Sequence, residues 1–271
     1  MATDADLLRL ANDSGFPLQI AVERVIGQTS RTHGWEVRYS EHAWTNVPDQ
    51  RSGFIDLVLQ TGGKTVFLVV ECKRVREATW LFMHSSGEPK PRRHAKSWVS
   101  NFGAGRLVHF GWHDIAVDPP CPEAAFCAIR GQSASDRNTL LERIGSELIS
   151  ATEALAVEER DFRPVDYPSL RFYFNIIVTT ADLKIAKFNS HAISLADGTI
   201  GSAAFESVPY LRFRKQLSMR PVQVSPQEYN ADASIGYAKE NTVFVVRAEA
   251  LVQFLSNFNI PDDTLSKFHV G

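Results

Sequence analysis

Hydrophobic residues recur every three or four positions in three stretches of this chain, and this spacing predicts helices. The stretches cover residues 17–29, residues 139–159 and residues 248–258. Pro17 suits the first turn of the first helix, because the amide that a proline lacks has no helical partner there. The segments between these helices follow a different spacing, which is typical of strands.

Strands are predicted where apolar and polar residues alternate or where apolar residues form a short continuous run. These segments are residues 35–44, 53–60, 65–73, 124–130, 172–178, 183–188, 209–217 and 242–246. Residues 172–178 are almost entirely apolar, so we expect a central strand buried on both faces. Residues 131–136 predict a turn, and residues 163–168 break the second helix. The order of helix, three strands, helix and buried strand predicts an α/β fold around a central mixed sheet.

The sequence predicts a single domain over residues 1–271, because it contains no internal repeat and no low-complexity linker. Its core is expected within residues 15–75 and 124–190, followed by C-terminal strands and a helix within residues 205–260. Residues 76–120 mix aromatic residues with glycines and predict an insertion after the third strand. The aromatic residues of this insertion are Trp98, Phe102, Phe110 and Trp112. They could stack on nucleic-acid bases, although packing against the core is the preferred interpretation.

Residues 53–73 place charge on two strands that are otherwise apolar. Asp56 lies on the first of these strands, and Glu71 and Lys73 end the second. An unpaired charge in a buried strand costs several kcal/mol or is forced to become neutral. Three charged side chains on one such hairpin therefore indicate either a functional site or a structural cluster of salt bridges.

The expected geometry of the hairpin favours a functional site. A two-residue turn at residues 62–63 would place Asp56 opposite Val69, diagonal to Glu71 and on the same face. Glu71 and Lys73 share that face because side chains alternate along a strand. Two carboxylates beside an ammonium suit Mg²⁺, which polarises a phosphate and lowers the pKa of a bound water. Lys73 could then orient that water or stabilise the charge that develops during attack.

At these positions the chain resembles the PD-(D/E)xK nuclease superfamily, of a bacterial type. Asp56 matches the aspartate of the motif, Glu71 its second acidic residue and Lys73 its lysine. Ile55 stands where a proline often precedes the aspartate. Members often carry a further acidic residue on the helix before the hairpin, and Glu23 is the candidate here.

The resemblance, which is best over residues 15–75, implies the restriction-endonuclease-like fold, an α/β core whose central mixed β-sheet is flanked by helices. It also implies a nuclease that uses Mg²⁺ or Mn²⁺. Asp56, Glu71 and Glu23 would be the metal ligands, and Lys73 would assist catalysis. We therefore expect a metal-dependent phosphodiester hydrolase, a DNA endonuclease, with a role in restriction or host defence by analogy of fold.

Other functions stay open at this stage. The same fold can be retained without cutting, as a nucleic-acid-binding or assembly module. The nuclease could also be directed at RNA, or it could stay inactive until a regulatory partner binds. A homodimer is a further expectation from the resemblance.

Nucleic-acid contacts are expected from local basic clusters, because the net charge of −2 gives no overall attraction to phosphate. One cluster follows the hairpin, and the other lies in a predicted strand and extends to Arg220. The candidate phosphate-binding residues are Arg74, Arg92, Arg93, Lys96, Arg212, Arg214 and Lys215. Ordinary solvated charge is the alternative for each cluster.

Composition argues against several other classes of protein. An apolar content of 44% and a charged content of 22% are ordinary for a soluble globular chain. The sequence has no run of 18 uncharged apolar residues and no signal-peptide core, and its three cysteines are scattered. We therefore expect a cytoplasmic protein without a membrane partner. Zinc-binding, nucleophile-elbow and phosphate-loop motifs are absent from the sequence.

Overall fold

The computed structural model of this chain describes residues 2–75, 78–103, 106–129, 140–162, 169–218 and 235–268. The predicted turn at residues 131–136, the predicted helix break at residues 163–168 and Arg220 lie outside the described residues.

The helices of the described residues include the three that the sequence predicts. The α-helices are α1 (Asp4–Asp13), α2 (Phe16–His33), α3 (Leu140–Asp161), α4 (Ile235–Ala238), α5 (Leu251–Asn257) and α6 (Asp262–Leu265). Short 3₁₀ turns lie at Val47–Asp49, Ser190–Ala192, Ala248–Ala250 and Ser266–Phe268. The predicted helices correspond to α2, α3 and α5, and Pro17 lies in the first turn of α2 as expected. Helix α1 was not predicted, and none of its residues is buried.

The strands of the described residues are more numerous than the sequence predicts. They are β1 (Trp35–Asn46), β2 (Arg51–Thr61), β3 (Val66–Lys73), β4 (Thr79–Met83), β5 (Pro91–Gly103), β6 (Arg106–Ala124), β7 (Phe126–Ile129), β8 (Leu170–Thr179), β9 (Asp182–Lys187), β10 (Ala204–Ser207), β11 (Tyr210–Gln216) and β12 (Glu240–Arg247). The predicted central strand is β8, in which every residue is buried. Strands account for 46% of the described residues.

The larger sheet contains a closed barrel, so the predicted restriction-endonuclease-like open sheet with flanking helices is wrong. Its strand order is β1-β2-β3-β8-β12-β11-β6-β5, and β5 also pairs with β8. Strands β8, β12, β11, β6 and β5 therefore form a ring of five, from which β3, β2 and β1 extend. A second sheet has the order β10-β9-β4-β7.

The barrel closes because the segment predicted as an irregular insertion forms strands. Residues 76–120 contain most of the β5–β6 hairpin, whose register shifts at two places. Strand β5 pairs antiparallel with the first half of β8, where Trp98 lies opposite Tyr173 and Asn101 lies opposite Leu170. Strand β12 pairs parallel with the second half of β8. Because bulges interrupt the alternation of apolar residues, the sequence pattern did not indicate these two long strands.

Helices cover the two faces of the sheet around β8. One hydrophobic cluster joins Tyr173 and Ile177 of β8 to the apolar side of α3. The other joins Phe172 and Phe174 of β8 to buried residues of α2 and α5. Full burial of a side chain of this size contributes about 1.5–3 kcal/mol. The strand is therefore fixed from both sides, in agreement with its continuous apolar sequence.

No helix within the described ranges is long and apolar enough to cross a membrane.

We predict that Gly87→Ala destabilises the fold by more than about 2 kcal/mol. Gly87 has a φ of 74°, and a Cβ atom there would lie 2.0 Å from the carbonyl oxygen of Phe188. Gly198→Ala is the matched control, because Gly198 has a φ of 72° but no atom within 4 Å of such a Cβ. Chemical denaturation should show a smaller loss for the control. Equal losses would mean that the close backbone approach is unimportant.

Candidate functional site

The β2–β3 hairpin brings Asp56 to the position opposite Glu71. The ladder pairs Val69 with Val58 and ends with Leu57 opposite Val70, so the next position outwards matches Asp56 with Glu71. The predicted register, with Asp56 opposite Val69, is therefore wrong by two residues. The structure brings the carboxylate-bearing residues closer in register than the sequence predicted.

The connection between the strands explains this shift. Lys64 N donates to Thr61 O at 2.8 Å, and Lys64 itself has a φ of 54°. Strand β3 begins only at Val66, so the connection is longer than the predicted two-residue turn. A shift of two positions preserves the alternation of faces, whereas a shift of one would have reversed it. The expected convergence of Asp56 and Glu71 therefore survives the error in register.

Asp56 occupies the point where the β2–β3 ladder stops. Its Oδ2 atom accepts a hydrogen bond from Cys72 N at 2.6 Å. The carboxylate thus takes the place of a backbone acceptor, and strand β3 fixes its orientation. Asp56 and Glu71 are both half-buried at this position.

Burial and mutual repulsion make both acids weaker than usual. Desolvation, and after it the charge of the Asp56 carboxylate, raise the pKa of Glu71 to about 8, although the charge of Lys73 opposes the shift. Desolvation also raises the pKa of Asp56, against the hydrogen bond from Cys72 N and the charge of Lys73. In the absence of a bound cation, protonation of Glu71 therefore relieves a repulsion that neither solvent nor Lys73 fully compensates.

Lys73 ends β3 two positions after Glu71. Side-chain alternation puts both residues on the face of Val69, which belongs to the cluster covered by α3. Glu147 of α3 contributes to the raised pKa of Glu71, which agrees with this placement. Thr179 Oγ1 donates to Lys73 O at 2.8 Å and holds the end of β3 against β8.

Glu41 of β1 is an acidic member of the site that the sequence reasoning missed. Glu41 lies between Ser40 and His42 on β1. Because Ser40 pairs with Leu57 of β2, Glu41 lies opposite the neighbouring residue, Asp56. Its charge raises the pKa of both Asp56 and Glu71. Its φ of 52° departs from strand geometry, and no pattern of alternation reveals such a position.

Gln19 of α2 holds Glu41 against the hairpin. The Nε2 atom of this buried side chain donates to Glu41 Oε1 and, at 3.2 Å, to Asp56 O. One amide group therefore links the helix, β1 and β2. A polar residue on the apolar side of the predicted helix was the available sequence signal.

Glu23, the predicted third metal ligand, lies beside β1. Its Oε2 atom accepts from Ser40 Oγ at 3.2 Å. Glu41, by comparison, raises the pKa of both Asp56 and Glu71. Glu41 thus has an electrostatic effect on the two carboxylates of the kind that we expected from Glu23.

The carboxylates fit a metal site with one or two protein ligands and do not fit a site built from three or more. Among the described residues, no group of three or more His, Cys, Asp or Glu side chains is arranged to hold a metal ion. Mg²⁺, however, commonly uses one or two carboxylates and completes its shell with waters and substrate phosphates. Asp56 and Glu71 are desolvated acids with raised pKa values, so a cation would relieve their repulsion. The donor set thus fits a hard divalent ion with an open coordination shell.

Arg74, the first predicted phosphate-binding residue, joins the site to the N-terminal helices. Its Nη1 atom donates to Asn12 O and lies 3.7 Å from the Asp13 carboxylate. The side chain is 30% exposed, so it serves an internal contact and still reaches solvent.

Arg92 and Arg93 lie on β5, each beside a carboxylate. Arg93 makes a bidentate pair with Asp118 at 2.8 and 2.6 Å. Arg92 lies 3.8 Å from Glu123 and is 60% exposed. Of these two residues, Arg92 has the side chain that is better placed to contact a phosphate.

Arg212 and Lys96 are buried rather than presented to solvent. Arg212 donates to the carbonyl oxygens of Val117 at 2.7 Å and Pro119 at 3.1 Å. Lys96 is 2% exposed and lies 4.9 Å from the ring centre of Tyr237. These two cations stabilise the barrel strands and have no access to a phosphate.

Arg214 and Lys215 are also engaged by acidic side chains. Arg214 is buried and pairs with Asp114 at 2.9 Å and Glu240 at 2.8 Å. Lys215 pairs with Glu142 of α3. Arg214 and Lys215 of the second basic cluster thus form structural ion pairs.

The aromatic residues of β5 and β6 pack on the core. Trp98 makes edge contacts with Phe110 and Trp112, at centroid distances of 5.1 and 5.5 Å. Trp112 Nε1 also donates to Glu153 of α3 at 2.8 Å. The preferred interpretation, packing rather than base stacking, agrees with these contacts.

Comparison with protein-family models, curated proteins and solved structures finds no match to this chain.

We predict that Glu71 makes the stability of the protein fall as pH rises from about 4.5 to 8. Across this window the folded state retains a proton that the unfolded chain, with its ordinary pKa of 4.5, releases. Glu71→Gln should flatten the dependence and raise the melting temperature above pH 8. Melting curves across pH test this, with Glu36→Gln, an exposed glutamate of β1, as the control. An unchanged slope in Glu71→Gln would contradict the assignment.

Proposed function

We propose that this protein is a divalent-cation-dependent hydrolase of phosphodiester bonds that acts on nucleic acid, with DNA as the expected substrate. The observation that carries the proposal is that Asp56 and Glu71 lie opposite each other on paired strands and both have raised pKa values. Lys73 lies two residues after Glu71 on the same strand. Acids with raised pKa values beside an ammonium are typical of catalytic sites. Pairing with Lys73 alone would lower the pKa of both carboxylates, whereas desolvation and mutual repulsion outweigh it here.

Asp56 and Glu71 would hold Mg²⁺ or Mn²⁺, which supplies Lewis-acid activation of phosphate and water when bound. Asp56 is suited to this role because the bond from Cys72 N fixes its carboxylate before any ligand arrives. Gln19 holds Glu41 close enough to add negative potential at the same place. Preorganised charge of this kind needs little rearrangement during reaction.

Lys73 has a separate role in the proposal. Its ammonium lies on the same strand face as Glu71 and partly offsets the negative charge of both acids. At this position it would orient the attacking water through a hydrogen bond and stabilise the additional negative charge on the phosphate during attack. Lys73 therefore acts on turnover more than on cation binding.

A partner-gated nuclease is the second candidate. Four of the predicted phosphate-binding residues are used inside the protein: Lys96, Arg212, Arg214 and Lys215. Because these basic residues are engaged internally, a partner or a second copy that contributes phosphate contacts would strengthen binding to nucleic acid.

We also propose a cytoplasmic location. The described cysteines are free and buried, in keeping with this proposal.

We predict that Lys73→Ala lowers the rate of cleavage about a hundredfold or more. Supercoiled plasmid, linear duplex, single-stranded DNA and RNA would be incubated with Mg²⁺, with Mn²⁺ or with EDTA. Lys184→Ala, on β9 of the other sheet, is the matched control and should cut at the wild-type rate. Full activity of Lys73→Ala, or activity in EDTA, would overturn the proposed mechanism. Cleavage that requires an added partner would favour the gated form.

We predict that Asp56→Asn abolishes Mn²⁺ binding while the protein stays folded. The amide oxygen of asparagine can still accept from Cys72 N, so the substitution removes the charge and keeps the structural bond. Calorimetric titration with Mn²⁺ would measure binding, and Asp161→Asn, an exposed residue at the end of α3, is the control. Lys73→Ala should bind as the wild type does. Unchanged binding in Asp56→Asn would exclude Asp56 as a ligand.

A further inference from the structure

A cavity of about 410 Å³ lies between β1 and the C-terminal end of α3. This volume is within the range of pockets that hold small ligands. The cavity adjoins the carboxylate site along β1, where His42 of the cavity follows Glu41 of the site. The two diverge along α3, where Glu147, whose charge raises the pKa of Glu71, precedes Glu158 of the cavity by about 16.5 Å at a rise of about 1.5 Å per residue.

Aromatic rings line the cavity from both elements. Tyr39 and His42 of β1 are stacked, with ring centroids 4.6 Å apart and planes inclined by 20°. Phe162, which follows the last residue of α3, is 81% exposed. An exposed phenyl ring at a cavity gains hydrophobic free energy when a flat apolar surface covers it. The aromatic lining therefore favours a planar ring as the ligand.

The charges of the cavity divide into an internal network and an accessible carboxylate. Glu159 is satisfied within the protein by Arg38 Nε at 2.8 Å, Arg171 Nη1 at 2.6 Å and Tyr39 OH at 2.9 Å. This network fixes the ring of Tyr39. Glu158 contacts His42 Nε2 at 2.9 Å and is 46% exposed, so its carboxylate can accept further hydrogen bonds. A ligand that donates N–H groups would complement it.

We propose that this cavity binds a nucleobase that carries an exocyclic amino group. The base would stack on Phe162 and the Tyr39–His42 pair, and its amino group would donate to Glu158. Cytosine and adenine carry this donor at C4 and C6, and guanine carries it at C2; carboxylates accept from the amino group of cytosine in the major groove of DNA. Uracil and thymine present a carbonyl oxygen at that position, which the carboxylate repels.

The base can belong to a free nucleotide or to a nucleic-acid strand, since both present the same ring and amino group. The inference does not rest on the proposed hydrolase, because binding here needs neither a cation nor Lys73. Measurements in EDTA therefore separate the failure of one proposal from the failure of the other.

Calorimetry on the full chain in EDTA would test the proposal. The probes are cytidine, adenosine and uridine monophosphates, together with short oligocytidine and oligouridine. We expect the amino-bearing probes to bind about tenfold or more tightly than the uridine ones. Phe162→Ala should weaken binding about tenfold, and Glu158→Gln should remove the preference. Phe205→Ala, on β10, and Glu36→Gln, on β1 but outside the cavity lining, replace exposed residues and are the controls that should match the wild type.

Binding of the mononucleotides would identify a free nucleotide as the ligand. Binding of the oligonucleotide alone, with the same response to the variants, would identify a strand. No binding of any probe at millimolar concentration would overturn the proposal. Binding that is unchanged in both Phe162→Ala and Glu158→Gln would overturn it as well.

Discussion

Strand β8 divides one of its edges between two neighbours, and the architecture depends on this division. Its first half bonds to β5 and its second half to β12, while β3 occupies the other edge from Phe172 to Thr179. The ring of five strands can close only because both partners meet on the same edge. Since β3 is hydrogen-bonded to this fully buried strand, Glu71 and Lys73 stand on one of the most firmly held elements of the molecule.

The carboxylate site lowers the stability of the folded protein. Desolvated acids that repel one another raise the free energy of the folded state unless a proton or a cation intervenes. The structure keeps them together through bonds that involve the backbone, from Cys72 N to Asp56 and from Gln19 to Asp56 O. Rigid strands, rather than attraction between the functional groups, therefore determine the geometry. Such a rigidly held pair of repelling carboxylates is expected at a site where a bound cation removes the repulsion.

Sequence reasoning succeeded where a single local pattern determines the structure. The helical spacing of α2 and α3 and the apolar run of β8 were sufficient to predict those elements. It failed on the closure of the barrel, because pairing between β5 and β8 depends on bulges and on residues far apart in the chain. Asp56, Glu71 and Lys73 could be singled out as charges on apolar strands. Glu41 could not, because its role depends on an unusual backbone angle and on Gln19.

Barrel closure leaves β1 as the outer strand of the larger sheet within the described part of the chain. An outer strand presents unpaired amide and carbonyl groups that can recruit a strand from another molecule. In β1 the register slips between Val37 and Tyr39, and the backbone turns out of extended geometry at Glu41. These irregularities interrupt the regular row of donors and acceptors. The backbone distortion that brings Glu41 to the carboxylates thus also protects the protein against edge-to-edge aggregation.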